Sequence, residues 1–550
     1  MNNLLIIPSA KLINEELQSR YGKIVPILIP LENGIVLDKL YREYENQYDQ
    51  IILTLYEEVE NTLKIINLRN YSKLKIKILS KLSDIGNGVK EVLDDYKELE
   101  KIKNLSINFG DIYIKDIKKY LNRDIVCYCK NSEIDRWAFL ENKNDKLVIK
   151  QQNIKEKIEN EEKNILIGFF NIVSIKEFYN ILLEKKEENK DSLYQTLEGY
   201  DKFSKINPIL ENNWDDFGHL DNFLQAQKIV ETRFFNEIAI DKDKNILTKK
   251  SEEREKLINE IKWFLTLPNE LQWVTPRIYS YSLAWKEPKV SMEYYSYPTL
   301  HHLYLYGNHN IDKWKQIFKK LFYVHEEMKK YSLKLEYEII VKALNKIYEK
   351  KTFERLEKLR KDKNFINYFE QDFYINNHKI KSLTKLSKII KNLIIDLKIN
   401  EKEELNIIHG DYFFANILYD PIADIVKLID PRGDFGGYGI YGDSNYDLAK
   451  LAHSVDGKYD FIVEDLFELE ELKNGFNYKI VYSENHEKIK ELFYSYFNKK
   501  QKLKIKFIQA LLFLSMMPLH KDKPRRQKVM LGVGIRLLYE VIEEIGEIEI

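Results

Sequence analysis

The sequence predicts an α/β protein of two domains: an N-terminal domain of alternating strands and helices, then a small β-rich lobe leading into a large helical lobe. Three observations predict it. The chain has 550 residues, more than the ~100–200 of a single domain. From residue 1 to about 200, short apolar runs alternate with amphipathic stretches, the pattern of βαβ units on a parallel sheet. Near residue 230 the pattern changes to a hairpin, a helix and two further strands, and after 311 it turns mostly helical. The expected domains are therefore 1–230 and 231–550, with a small lobe over 231–297 and a helical lobe over 298–550.

In the first domain, LLIIP (4–8), QIILTLY (50–56) and LKIKIL (74–79) read as strands. The stretches 36–48, 57–68 and 89–102 carry helical spacing. LSINFGDIYI (105–114) is a strand broken by Gly-Asp, and 124–130, 136–142, 146–150 and 165–172 are further strands. In the second domain, 233–241 and 245–251 form a hairpin across a polar turn. A helix over 252–265 and strands at 277–283 and 288–295 complete the small lobe. Charged helices fill 311–400, one strand cluster interrupts at 405–430, and 484–545 is helical again.

Composition excludes several classes. Lys plus Arg and Asp plus Glu are both 87, so the net charge is zero, which argues against a partner as anionic as nucleic acid. Hydrophobic content of 44% with 32% charged residues supports large cores rather than disorder. The two cysteines, Cys127 and Cys129, share one face of a strand and fit core packing in a reducing compartment. The longest apolar stretch, 507–519, contains Gln509 and Ser515 and falls short of the ~18–20 residues of a membrane span. MNNLLIIPSAKL lacks the basic and long apolar regions of a signal peptide, so a cytoplasmic protein is expected. Glycine, at 20 of 550, is about half as frequent as the usual ~7%. Six of these 20 fall between Gly410 and Gly442, none between Gly218 and Gly307, and none before Gly22.

The densest chemistry lies in IIHGDYFFANILYDPIADIVKLIDPRGDFGG (407–437). Phosphoryl transfer needs a group to orient the attacking hydroxyl, and oxygen ligands for the Mg²⁺ that bridges the phosphates of ATP. Asp411 suits the first role; Asn416 and Asp430 suit the second, carried on a hairpin built by the apolar residues between them. Upstream, only one of Lys249 and Lys250 can face a nucleotide, because side chains alternate along a strand. Lys249, on the face of Leu247, is the candidate for the phosphates, and Glu260 in the next helix is its partner. Met292, Glu293 and Tyr295 end an apolar strand that resembles the adenine-holding hinge of kinases. Gly437, Gly439 and Gly442 match GxGxxG, but they follow a loop and lead into a helical lobe, which is the wrong context for a dinucleotide fold.

The segment 407–437 resembles the aminoglycoside phosphotransferase and choline kinase superfamily, whose signature is HGDxxxxN followed by an aspartate at a strand end. That resemblance implies a bilobal protein-kinase-like domain that uses ATP, with Asp411 as catalytic base and Asn416 and Asp430 as Mg²⁺ ligands. It implies His409 as a loop-holding residue and Asp447 as a buttressing acid; Arg432 is a candidate for phosphate or substrate charge, or for a structural ion pair. The absence of glycine from 233–249 departs from the glycine-rich loop of protein kinases.

The first domain resembles the sugar-nucleotide nucleotidyltransferases, a Rossmann-like, GT-A-like fold. The resemblance rests on LLIIPSAK (4–11), GKIVPILIPLENGIVLDKL (22–40), INFGDIYI (107–114) and NNWDDFGHLDNF (212–223). It implies Asp111 and Asp216 as metal ligands and an NTP such as CTP or UTP. The loop after the first strand departs from the family in having no glycine before Gly22 and no lysine directly after Pro26. Together the likenesses resemble two-domain proteins of capsule and surface-glycan synthesis, with His520, Asp522 and Arg526 as candidates for an acceptor pocket. The reading is an ATP-dependent kinase of a hydroxyl on a sugar, polyol or amino alcohol, fused to a nucleotidyltransferase-like domain. Two alternatives stay open: a kinase whose first domain is inactive, and a non-enzymatic scaffold of glycan assembly.

Overall fold

The computed structural model describes residues 3–31, 34–56, 60–131, 137–143, 146–151, 162–185, 191–227 and 236–546. The chain divides into two compact units, Met1–Ile229 and Val230–Ile550. The boundary expected at 230/231 lies outside the described residues, as do Arg233, Phe234 and Phe235 of the first hairpin arm.

The first unit is a mixed α/β domain on a nine-stranded sheet. Its parallel part is β1 (Asn3–Pro8), β2 (Gln50–Leu55), β3 (Leu74–Ile78) and β4 (Asn104–Asn108), in the spatial order β4-β1-β2-β3. The apolar runs seen in the sequence are these strands; Leu4, Ile6, Leu105 and Ile107 are fully buried between covering helices. Burying each such side chain contributes roughly 1.5–3 kcal/mol. The chain winds outward from β1 through β2 and β3, then crosses to β4 on the other side of β1. Loops diverge there, and open α/β sheets bind ligands at that point. The sheet is not wholly parallel, as the alternation had suggested: Lys163–Ile172 runs antiparallel to β4 and carries the remaining strands. The helix expected over 89–102 runs Ile85–Leu93 instead. Asp84 caps it by accepting from Asn87 N at 2.9 Å, so it starts one turn earlier than the apolar spacing implied.

The second unit opens with a four-stranded antiparallel sheet in the order β5 (Asn236–Asp241), β6 (Ile246–Ser251), β8 (Lys289–Glu293) and β7 (Ile278–Ser282). The helix Arg254–Thr266 follows β6 and packs on this sheet, and its residues Leu257, Ile261 and Phe264 are buried. Beyond β8 come the helices Leu300–Leu305 and Ile311–Lys329, and a hairpin, Ile417–Asp420 with Ile425–Leu428. Tyr419 N donates to Pro298 O at 2.9 Å, which ties that hairpin to the segment leaving β8.

One expectation for this unit is corrected. The helical lobe contains a second four-stranded sheet, built from Phe373–Ile375, His378–Ile380, Phe467–Leu472 and Gly475–Ile480. Asn376 and Asn377 both take positive φ, the geometry of a two-residue hairpin turn, inside a stretch read as charged helix. The apolar stretch near the C-terminus is part of Lys499–His520, which is long and apolar enough to cross a membrane by length and composition. Its residues Phe507–Ser515 are buried within the unit, because Pro524–Ile545 packs along it.

Gly475 starts the last strand of the second sheet at φ +138°, and a Cβ there would lie 2.0 Å from Tyr374 O. Gly475→Ala is expected to lower stability by on the order of 2 kcal/mol or more, read as a fall in the urea midpoint. An unchanged midpoint would show that the two hairpins are not held by this approach.

Candidate functional site

In the second unit, three elements meet at one lysine. Lys249 sits on β6 and is nearly inaccessible. Its Nζ lies 2.8 Å and 3.0 Å from the two oxygens of Glu260 and 2.7 Å from Asp430 Oδ1. Alternation along β6 decides the choice of lysine: Lys250 points to the other face, near Glu237 and Glu287. Burial disfavours the charge on Lys249, but Asp430 and Glu260 outweigh it and raise its pKa. Against the burial that raises it, the Lys249 charge holds Asp430 below the usual carboxylate range. The Asp430 side chain stays half exposed, so one carboxylate face is open to a ligand.

The loop that carries Asp411 is set by buried partners. Asp447 accepts from His409 N at 2.7 Å and from Gly410 N at 2.8 Å, holding two successive amides. His409 Nε2 lies 3.0 Å from Ile429 O, which joins this loop to the strand before Asp430. Burial pushes His409 down to about 4, so it is neutral near pH 7. Asn416 Nδ2 donates to Asp411 O at 3.0 Å, which anchors the nitrogen end of the amide and leaves its oxygen for a cation. Asp430 itself adopts φ +53°, a backbone region that non-glycine residues rarely occupy outside turns and functional loops.

Two contacts that sequence reasoning missed align the Glu260 helix with this loop. Trp263, one turn beyond Glu260, donates its indole N–H to Ile408 O at 2.7 Å. Gly433, at φ +71°, lies so close that a Cβ would sit 2.0 Å from Asn259 O. A side chain there would push the helix off the loop that follows Asp430.

Around Asp411 the charge is positive. Arg432 Nη2 and Lys450 Nζ lie 3.1 Å and 3.0 Å from Asp411 Oδ1. Burial raises the Asp411 carboxyl, but these two cations outweigh it and hold it well below the usual range. Arg432 Nη1 also donates to Tyr446 Oη at 2.9 Å, and Lys351 Nζ approaches the same oxygen at 3.5 Å. Lys450 was readable as a candidate, four residues after Tyr446 on the helix that carries Asp447. Lys351 lies in a lysine-rich helix and gave no such signal.

The remaining candidates separate. Met292 is buried on β8 opposite Leu247. The Glu293 carboxylate accepts from Tyr295 Oη at 2.7 Å, while Glu293 N donates to Arg277 O. His520 approaches the Tyr459 ring at 6.3 Å, and Tyr459 packs on Phe413, two residues from Asp411. Arg526 is engaged by Asp465 at 2.7 Å and 2.9 Å, and Asp522 is exposed at the surface.

In the first unit, Asp111 follows β4 at the switch point, where Gly110 N donates to Pro8 O at the end of β1. Asp216 reaches it from the strand Trp214–Asp216, and Phe217 N donates to Asp111 O. Asp216 is buried and accepts from Gly218 N and Asn222 Nδ2, with His219 Nδ1 at 2.7 Å. Burial and the Asp216 charge push Asp111 up to about 6. A buried carboxyl pushed up by a neighbouring carboxylate, as Asp111 is, is relieved by a cation beside it. Among the described residues, no group of three or more His, Cys, Asp or Glu is placed to hold a metal by itself. A cation at either site would need oxygens from a bound phosphate as well.

No protein-family profile matches this chain, and no curated protein does. Solved structures do align with part of it. HddC from Yersinia pseudotuberculosis is 18% identical over 41% of this chain and 98% of its own, with a TM-score of 0.32. The CTP:phosphocholine cytidylyltransferase LicC of Streptococcus pneumoniae is 11% identical over 42% of this chain and all of its own, at 0.33. The inositol-1-phosphate CTP transferase of T. maritima is 11% identical over 40% and 91%, also at 0.33. Scores this low carry no argument about activity, which rests on the site geometry.

Tyr446 offers a direct readout of the charge around Asp411. Burial raises its phenol, but Arg432, Lys351 and Lys450 outweigh burial and bring it down to about 8. Absorbance at 295 nm is expected to show one tyrosine ionising near pH 8, well before the rest. Tyr446→Phe should remove that step, and Lys351→Met should move it upward. A titration with no step below pH 9 would refute the arrangement.

Proposed function

We propose that the second unit is an ATP-dependent phosphotransferase acting on the hydroxyl of a small molecule. The observation that carries this reading is the contact of Lys249 with both Glu260 and Asp430, which follows the hairpin that Asp411 and Asn416 precede. Lys249, fixed by Glu260, binds the ATP phosphates. The Asp430 carboxylate and Asn416 oxygen would hold Mg²⁺, which would offset negative charge on the transferring group. Asp411 accepts a hydrogen bond from the acceptor hydroxyl and aims its oxygen at the γ-phosphorus. The new O–P bond forms as the bond to the β,γ-bridging oxygen breaks, ADP leaves with that electron pair, and the hydroxyl proton passes to Asp411. Asp411 is a weak base, because Arg432 and Lys450 stabilise its charge. It therefore orients the hydroxyl and takes the proton late, as suits a loose transition state.

Asp411→Asn is expected to lower kcat by about 10²–10⁴ while leaving the KM for ATP nearly unchanged, measured as ADP release. ADP release at the wild-type rate would sink the mechanism. An absence of any Mg²⁺-dependent nucleotide binding in the wild type would favour a non-enzymatic scaffold.

The first unit is proposed to take the phosphorylated product and join it to the α-phosphate of an NTP such as CTP or UTP, releasing pyrophosphate. The paired Asp111 and Asp216 at the switch point of the sheet support this. Together the units would supply an activated precursor for capsule or another surface polysaccharide. Pyrophosphate release from an NTP and a phospho-sugar should vanish in Asp111→Ala. If the wild type releases none with any NTP, the first unit is a binding domain only.

A further inference from the structure

The helix Lys351–Arg360 follows directly on a π-helical turn, Lys346–Lys350, which continues the helix Tyr337–Asn345. A π turn inserts an extra residue per turn and rotates everything after it, and such turns recur at functional sites. Here the rotation places Lys351 and Arg355, four residues apart, on one face beside Tyr446. Two like charges at that spacing destabilise a helix unless something neutralises them. Among the described residues, no carboxylate pairs with either. Arg355 Nη1 donates to a backbone carbonyl, Ser515 O, at 3.1 Å, and Lys351 lies 5.8 Å from the centre of the Tyr446 ring.

The same neighbourhood holds Arg432 and Lys450, both on Asp411. Four cations therefore surround one carboxylate and one phenol. Burial and the repulsion of Arg432, Arg355 and Lys450 push Lys351 down to about 8. Rings also lie there: Lys450 lies 5.5 Å from the centre of the Phe413 ring, Phe413 meets Tyr459, and Tyr459 packs on His453. A cationic acceptor would enter against this field, and a neutral one would leave Lys351 and Arg355 uncompensated.

We infer that the acceptor is a small hydroxyl compound carrying its own anionic group, a phosphate monoester or a carboxylate, bound by Lys351 and Arg355 while its hydroxyl meets Asp411. This assignment rests on the phosphotransferase reading above and narrows its substrate. The anion compensates the two unpaired cations and leaves Arg432 and Lys450 on Asp411.

Calorimetry on the full chain saturated with Mg²⁺ and AMP-PNP tests it, with glycerol 3-phosphate, D-glycerate, glycerol and choline as probes. At least one anionic probe is expected to bind about tenfold or more tighter than glycerol or choline. Whether glycerol 3-phosphate or D-glycerate is preferred distinguishes phosphate from carboxylate. Lys351→Met/Arg355→Gln should weaken the anionic probe by at least about tenfold and leave AMP-PNP affinity unchanged. Should the double variant fail to fold, Arg355→Gln alone is expected to show a smaller loss with an unchanged melt. Equal or tighter binding of choline or glycerol overturns the inference. So does anion affinity that survives the substitutions, or a loss of AMP-PNP affinity, which would assign the cations to the nucleotide. If the wild type binds no Mg²⁺·AMP-PNP, the phosphotransferase reading itself falls, and the acceptor assignment with it.

Discussion

A buried lysine with two carboxylates on its ammonium is the constraint that organises the second unit. Lys249 comes from a sheet, Glu260 from the next helix and Asp430 from a hairpin 181 residues downstream. An ammonium this inaccessible is unfavourable unless it is paired and fully hydrogen-bonded. The ion triad therefore requires three separate elements to arrive together, which makes it a gauge of their alignment. Trp263 and Gly433 bring the Glu260 helix against the loop closely enough for that. Burial and the Asp430 charge push Glu260 up to about 7, so one ammonium against two carboxylates leaves the exposed face of Asp430 open to further positive charge.

Asp411 stands in the opposite electrostatic setting. Where Asp430 shares one cation, Asp411 has Arg432 and Lys450 on a single oxygen, with Lys351 and Arg355 beyond. Two carboxylates that flank one hairpin are thus given opposite electrostatic settings by their neighbours. The loop beneath them is kept still by Asp447, which holds two backbone amides with one carboxylate. The shortage of glycine elsewhere fits this picture. The glycines cluster from Gly410 to Gly442, where the chain must turn tightly and pass close to the Glu260 helix.

The order of elements was readable from apolar periodicity. The strands at 4–8, 50–56 and 74–79, the hairpin ending at Ser251 and the helix at 254 all lie where spacing put them. Periodicity fails where two signals compete. The hairpin at 373–380 is short and charged, and its Asn376-Asn377 turn is a weaker signal than the surrounding helical spacing. In the C-terminal apolar helix the two polar interruptions, Gln509 and Ser515, are buried within the unit and find partners there. Gln509 Nε2 reaches Ala452 O at 2.9 Å and Ser515 Oγ reaches Leu512 O at 3.1 Å.

By itself the sequence determined which groups lie close along the chain: Asp411 with Asn416, and the choice of Lys249 over Lys250. Each follows from spacing on a strand or beside a hairpin, which are local geometries with fixed periods. Tertiary structure alone decided which distant groups share a site. It set Asp430 on Lys249, drew Arg432 onto Asp411, tied Arg526 to Asp465, and turned Lys351 and Arg355 toward Tyr446 through a π-helical turn. The physical reason is that charge compensation acts through space. A lysine in a charged helix looks the same in sequence whether its ammonium faces water or a site that lacks a carboxylate.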